Sequence, residues 1–139
     1  MIRRSGWLLG ALAMAGGLLV MRNVVSARSM RMSISMERSG SQYVLRFKAG
    51  GQDAAVRALY ISILEGDNAA GTICEWGAQF PVHPVVGKWI YRDALPTEYE
   101  SKGCPPLDPG RYRVQAIGFG GGAILNVQID SAGEVQALK

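Results

Sequence analysis

Imidazole and thiol are scarce in this chain: His83 is its only histidine, and Cys74 and Cys104 are its only cysteines. A zinc site draws three or four converging ligands from such residues, so no metal is expected. His83 sits between Val82 and Pro84, with no serine or cysteine at a spacing that marks a nucleophile. It reads as an exposed loop residue, with contact to a partner as its second role. A catalytic triad assembles in space rather than in sequence, so the spacing argues only weakly against one.

Charge is missing from Ser5 to Met21, a run of Leu, Ala and Gly behind Arg3 and Arg4. The run falls short of the roughly 20 residues a helix needs to cross hydrocarbon. Arg22-Asn23-Val24-Val25-Ser26-Ala27 follows, and its small residues suit signal-peptidase cleavage after Ala27. The expectation is a signal peptide over 1–27 and a single domain over 28–139. Its location is then periplasmic or secreted. The alternative is an uncleaved anchor in the inner membrane, with the domain outside the cytoplasm and the N-terminal segment as its only membrane contact.

Cleavage changes the charge argument. The full chain carries 15 basic and 11 acidic residues, for a net charge of +4. Arg3, Arg4 and Arg22 leave with the signal, so 12 basic residues face 11 acidic ones. A domain this close to neutral lacks the footprint of a nucleic-acid binder, and no nucleic-acid partner is expected. In an oxidising compartment Cys74 and Cys104 pair. Closing that loop is worth about 3.5 kcal/mol in the chain-entropy model.

Cofactor motifs are also absent. Gly118-Phe119-Gly120-Gly121-Gly122 resembles a phosphate loop only in composition, because a strand rather than a helix follows it. Those glycines suit a tight hairpin, and no cofactor is expected. Glu75 with Asp93, or Glu98 with Glu100, are the carboxylate pairs open to acid–base work, at a spacing chance alone produces. Asp67, Asn68 and Asp130 lie in turns, where such side chains cap their own backbone.

What is present is alternation. Met32, Ile34 and Met36 alternate with Ser33, Ser35 and Glu37; Tyr43, Leu45 and Phe47 alternate with Arg46 and Lys48. The two runs read as a hairpin with one face buried. Residues 54–59 suit either a short helical turn or the start of a third strand over Leu59–Leu64. A fourth strand over 72–79 places Cys74 and Trp76 inward, and a fifth runs from Val85 to Tyr91. Asp93 to Pro109 reads as one long irregular segment stapled through Cys104. Arg111–Gly118, Leu125–Ile129 and Val135–Leu138 complete a meander.

Seven or eight short strands predict an all-β fold: a small antiparallel two-sheet sandwich, immunoglobulin-like in general architecture. A small β-barrel satisfies the same alternation. The spacing of Cys74, Trp76 and Cys104 does not reproduce a true immunoglobulin domain, so the likeness stays one of architecture.

The functional expectation is an exported, non-enzymatic binding or accessory domain contacting a protein partner or an envelope polymer. Arg46, Lys48, Tyr60, Arg111 and Arg113, with Gln115, are candidates for a basic, partly aromatic sheet face. Phe119 and His83 are further contact candidates. Three alternatives stand beside this reading: a secreted inhibitor using the 96–109 loop, a small hydrolase, and a structural component of an envelope assembly joined through an exposed edge strand.

Overall fold

The computed structural model describes residues 31–139; the expected signal segment lies outside them. The described residues form eleven strands and no helix. β1 (Met32–Ser39) and β2 (Gln42–Ala49) are a hairpin turning at Gly40, whose φ of +63° suits a residue without a Cβ. Opposite residues share a face, so Ile34 with Phe47 and Met36 with Leu45 point inward together.

β3 (Gln52–Asp53) extends along the edge of β2, and the chain then crosses at Ala54 into β4 (Ala55–Glu65). Residues 55–59 are strand, and the stretch from Ala54 makes no helical turn. Val56 and Leu59 are both fully buried, three residues apart, which is why a helix period fits them. A bulge between Val56 and Ala58 produces that spacing by turning the strand once out of step. β5 (Asn68–Gly77) returns from a turn at Gly66 and buries Cys74 and Trp76, as the alternation requires.

The strand expected over 85–91 is two strands. β6 (Val85–Val86) pairs with β4, whereas β7 (Lys88–Ile90) pairs with β2. Gly87 between them takes φ +75°, and a Cβ there would stand 2.6 Å from the Asp53 carboxyl carbon. Only glycine fits that crossing. Three backbone bonds close the corner: Phe47 N to Gly87 O, Gly87 N to Ala54 O, and Ala54 N to Phe47 O.

β8 (Glu100–Ser101), β9 (Gly110–Gly118), β10 (Gly122–Ile129) and β11 (Val135–Ala137) complete the chain. The larger sheet has the order β11-β10-β9-β4-β5-β8, with β6 on β4; the smaller has β1-β2-β3, with β7 on β2. All pairings are antiparallel. The fold is a sandwich, not the closed barrel. The sheets meet at the Ala54–Gly87 corner, but no ladder joins β1 to β10 or β11, which it packs against. Side chains hold that open side. Arg38 binds Ala132 O and Glu134, and Tyr43 Oη donates to Gly133 O at 3.0 Å.

The core between the sheets contains Leu45, Phe47, Val56, Leu59, Ile61, Trp76, Val114 and Val127. Each large apolar side chain buried there contributes about 1.5–3 kcal/mol. Trp76 sits edge-on to Trp89 and Tyr99, with ring centroids 5.4 and 5.6 Å away. Its Nε1 is buried and has no oxygen or nitrogen acceptor among the described residues.

Candidate functional site

Two neighbouring features at the β5 edge of the larger sheet stand out from a closely packed domain. The first is an excursion of the chain. β5 reaches Gly77 opposite Ala58, and Ala78 N donates to Arg57 O. Val85 then resumes opposite Val56. β5 and β6 are thus one track along β4, interrupted by residues 79–84, which are extruded outward. Phe80 and Val82 on that excursion are 85 % and 77 % exposed.

The excursion is clamped from beneath. The Glu98 carboxylate accepts hydrogen bonds from Val82 N and His83 N, both at 2.8 Å, and Tyr99 Oη donates to His83 O at 3.0 Å. Pro81 and Pro84 remove backbone freedom from the same stretch. The Val82 amide, above all, holds the Glu98 carboxyl below its ordinary range, with the His83 amide and imidazole helping. Apolar side chains are presented here by a fixed scaffold rather than by a loose loop.

The second feature is a cleft of about 600 Å³ on the outer side of the larger sheet. Its floor includes Ala58 and Gly77, where a Cβ on Gly77 would come within 3.1 Å of Ala58 Cβ. Arg57, Tyr60, Gln79, Glu75, Glu100 and Lys102 stand around it. β8 builds one wall by pairing Ser101 with Trp76 and Glu100 with Gly77. The Cys74–Cys104 disulfide, with Cα atoms 4.5 Å apart, fixes that wall to β5. Lys102 Nζ lies 3.1 Å from Glu75 Oε1 across the wall.

Chemically the cleft offers one aromatic face, two cations, and carboxylate and amide acceptors over a floor of small residues. Glu98 also lines it, but its two oxygens are committed to the excursion's amides. That commitment disfavours Glu98 as a proton donor partnering Glu100. Glu75 and Asp93 line different clefts, so that pair does not converge. Among the described residues no group of three His, Cys, Asp or Glu is placed to hold a metal.

The residues expected to form one basic face are divided between two. Arg46 and Lys48 lie on the outside of the smaller sheet, in ion pairs with Glu37 at 3.0 Å and Asp53 at 2.5 Å. The Lys48 hydrogen bond, first of all, keeps the Asp53 carboxyl below its ordinary range. Tyr60, Arg111 and Arg113 belong to the outside of the larger sheet. Arg113 is occupied there by Asn126 Oδ1 at 3.0 Å and Asp67 O at 2.9 Å. Sequence parity records which side of its own strand a residue takes, not which sheet the strand joins.

His83 projects from the excursion with a 76 % exposed side chain, its Nδ1 3.4 Å from Glu98 Oε1. Phe119 is 59 % exposed at the tip of the β9–β10 hairpin, where Gly118 N donates to Gly121 O. The glycines there make a hairpin, as the composition suggested. Phe80 and Val82 were not among the sequence candidates. The only sequence signal for them was apolar residues alternating with Pro81 and Pro84, which also fits a buried bend.

No family model matches the chain, and no curated protein or solved structure matches it.

Proposed function

We propose that the chain is exported and acts as a disulfide-stapled binding module in the cell envelope, contacting a protein partner or an envelope polymer. The cleft beside β8 is the contact site. The observation that carries this reading is the wall of that cleft: a segment stapled by Cys74–Cys104 stands against the sheet beside an aromatic side chain and unlike charges. Preformed walls lower the ordering cost of association. Tyr60 supplies a flat apolar face, while Arg57, Lys102, Glu75, Glu100 and Gln79 supply donors and acceptors for a polar chain laid along it. The disulfide fits an oxidising compartment, which agrees with export.

The inhibitor reading, with 96–109 as the inserting loop, is less favoured. Tyr99 and Leu107 from that segment pack on the core, so it is occupied inside its own domain.

The test places a photo-crosslinking residue at Tyr60 in the full chain, in the exporting cell, and the same group at Ser33 on the opposite outer face. An adduct at position 60 that is absent at 33 is expected, together with an N-terminus at Arg28 by mass spectrometry. An adduct pattern identical at both positions removes the cleft as the contact site.

A further inference from the structure

We infer that the end of the domain carrying Phe80, Val82, Val86 and Phe119 docks on an anionic lipid bilayer, beside the cleft, with which it shares Arg57. These four side chains are 85 %, 77 %, 55 % and 59 % exposed. The strand register brings them to one end. Val86 lies opposite Ala55, Val56 lies opposite Gly118, and Phe119 follows directly. The excursion bearing Phe80 and Val82 leaves and rejoins the β4 track at Arg57 and Val56. Toward the opposite end, which carries the Asp130–Glu134 turn, Ile63 is the one large apolar side chain exposed among the described residues, and at 43 % it is less exposed than any of these four.

The local charge selects a phospholipid surface as the occupant. Met32, the first residue of β1, belongs to the same end, since a Cβ on Gly118 would stand 2.6 Å from its methyl carbon, and Arg31 precedes it directly. Arg31, Arg57 and Lys88 have no carboxylate partner among the described residues, while Asp53 is paired with Lys48 and Glu98 with backbone amides. Glu100 is the one unpaired acid nearby. Apolar side chains beside cations are what an interfacial anchor requires. Clamped by Glu98 and two prolines, the excursion presents them without further ordering.

The test uses the exported protein as recovered from the cell, mixed with phosphatidylethanolamine–phosphatidylglycerol vesicles whose lipids are brominated near the glycerol end of the acyl chain. Indoles are introduced singly by Phe80→Trp, Phe119→Trp and, at the opposite end, Ser131→Trp. The added emission at positions 80 and 119 is expected to fall at least roughly twofold relative to unbrominated vesicles, and that at 131 to stay unchanged. Equal emission in both vesicles at 80 and 119 would overturn the inference. So would quenching of equal depth at all three positions, which means the domain has no preferred face. Either result leaves the crosslink at Tyr60 as a separate question.

Discussion

Two proline-bearing segments of this domain look alike on paper and behave oppositely. Residues 93–109 are long and irregular, yet they fold inward. Leu95, Tyr99, Cys104 and Leu107 reach the core, β8 adds to the sheet edge, and Tyr91 Oη and Tyr112 Oη bind the carbonyls of Pro105 and Asp108. Residues 79–84 are short and apolar, yet they are extruded, with Phe80 and Val82 in water. Apolar content did not decide between them. The β4 track did, because β5 and β6 already occupy its edge on both sides of the excursion and leave 79–84 no strand position to fill. A segment packs when an edge is open to receive it.

That contrast is broken most severely by removing the staple. Replacing both cysteines, Cys74→Ser with Cys104→Ser, is expected to cost about 3.5 kcal/mol in urea unfolding, because 93–109 loses its tie and the unfolded chain gains freedom. A loss below about 1 kcal/mol would mean that packing alone holds the segment. Tyr99→Ala is next, at about 3 kcal/mol, since it empties a buried site against Trp76 and removes the bond to His83 O.

Tyr91 gives the packed segment a pH signature. Burial pushes its hydroxyl up to about 12. The folded state holds this proton while the unfolded chain releases it near 10. Its contribution to stability is therefore full below pH 10 and is lost as pH rises from 10 to 12. Phenolate absorbance should show one group titrating near 12, and Tyr91→Phe should delete it.

Glu98 tests the clamp. Glu98→Gln is expected to leave global unfolding nearly intact while the Val82 and His83 amides exchange at close to unprotected rates. Its folded carboxyl ionises below the ordinary value, so the clamp is present above about pH 4.5. It loosens as the pH falls through the lowered value. Unchanged exchange at these two amides would show that the prolines suffice. The smallest effect belongs to the exposed tip. Phe80→Ser and Val82→Ser should each change stability by no more than about 0.5 kcal/mol, because neither removes buried contact.

Much of the fold was legible in local pattern. The β1–β2 and β9–β10 hairpins, the inward parity of Cys74 and Trp76, and the glycine turns all follow from a period of two with turn chemistry between. The features that escaped are those where a strand changes partner or step. The bulge at Arg57 imitated a helix, Gly87 split one apparent strand between two sheets, and β8 hid in a segment without alternation. The candidate cleft is half legible: the sequence marks Tyr60 and the disulfide, but their nearness to Glu100 and Lys102 depends on the β5–β8 pairing.

By itself the sequence determined that this is a β domain, which side chains each strand buries, and which cysteines pair. Those properties are local: the pleat alternates every residue, and the chain holds just two thiols. Only the tertiary structure decided which sheet each strand joined. That choice rests on long-range pairing and on the free edges left to fill. It divided the expected basic face in two, drew 93–109 into the core, and left Phe80 and Val82 outside.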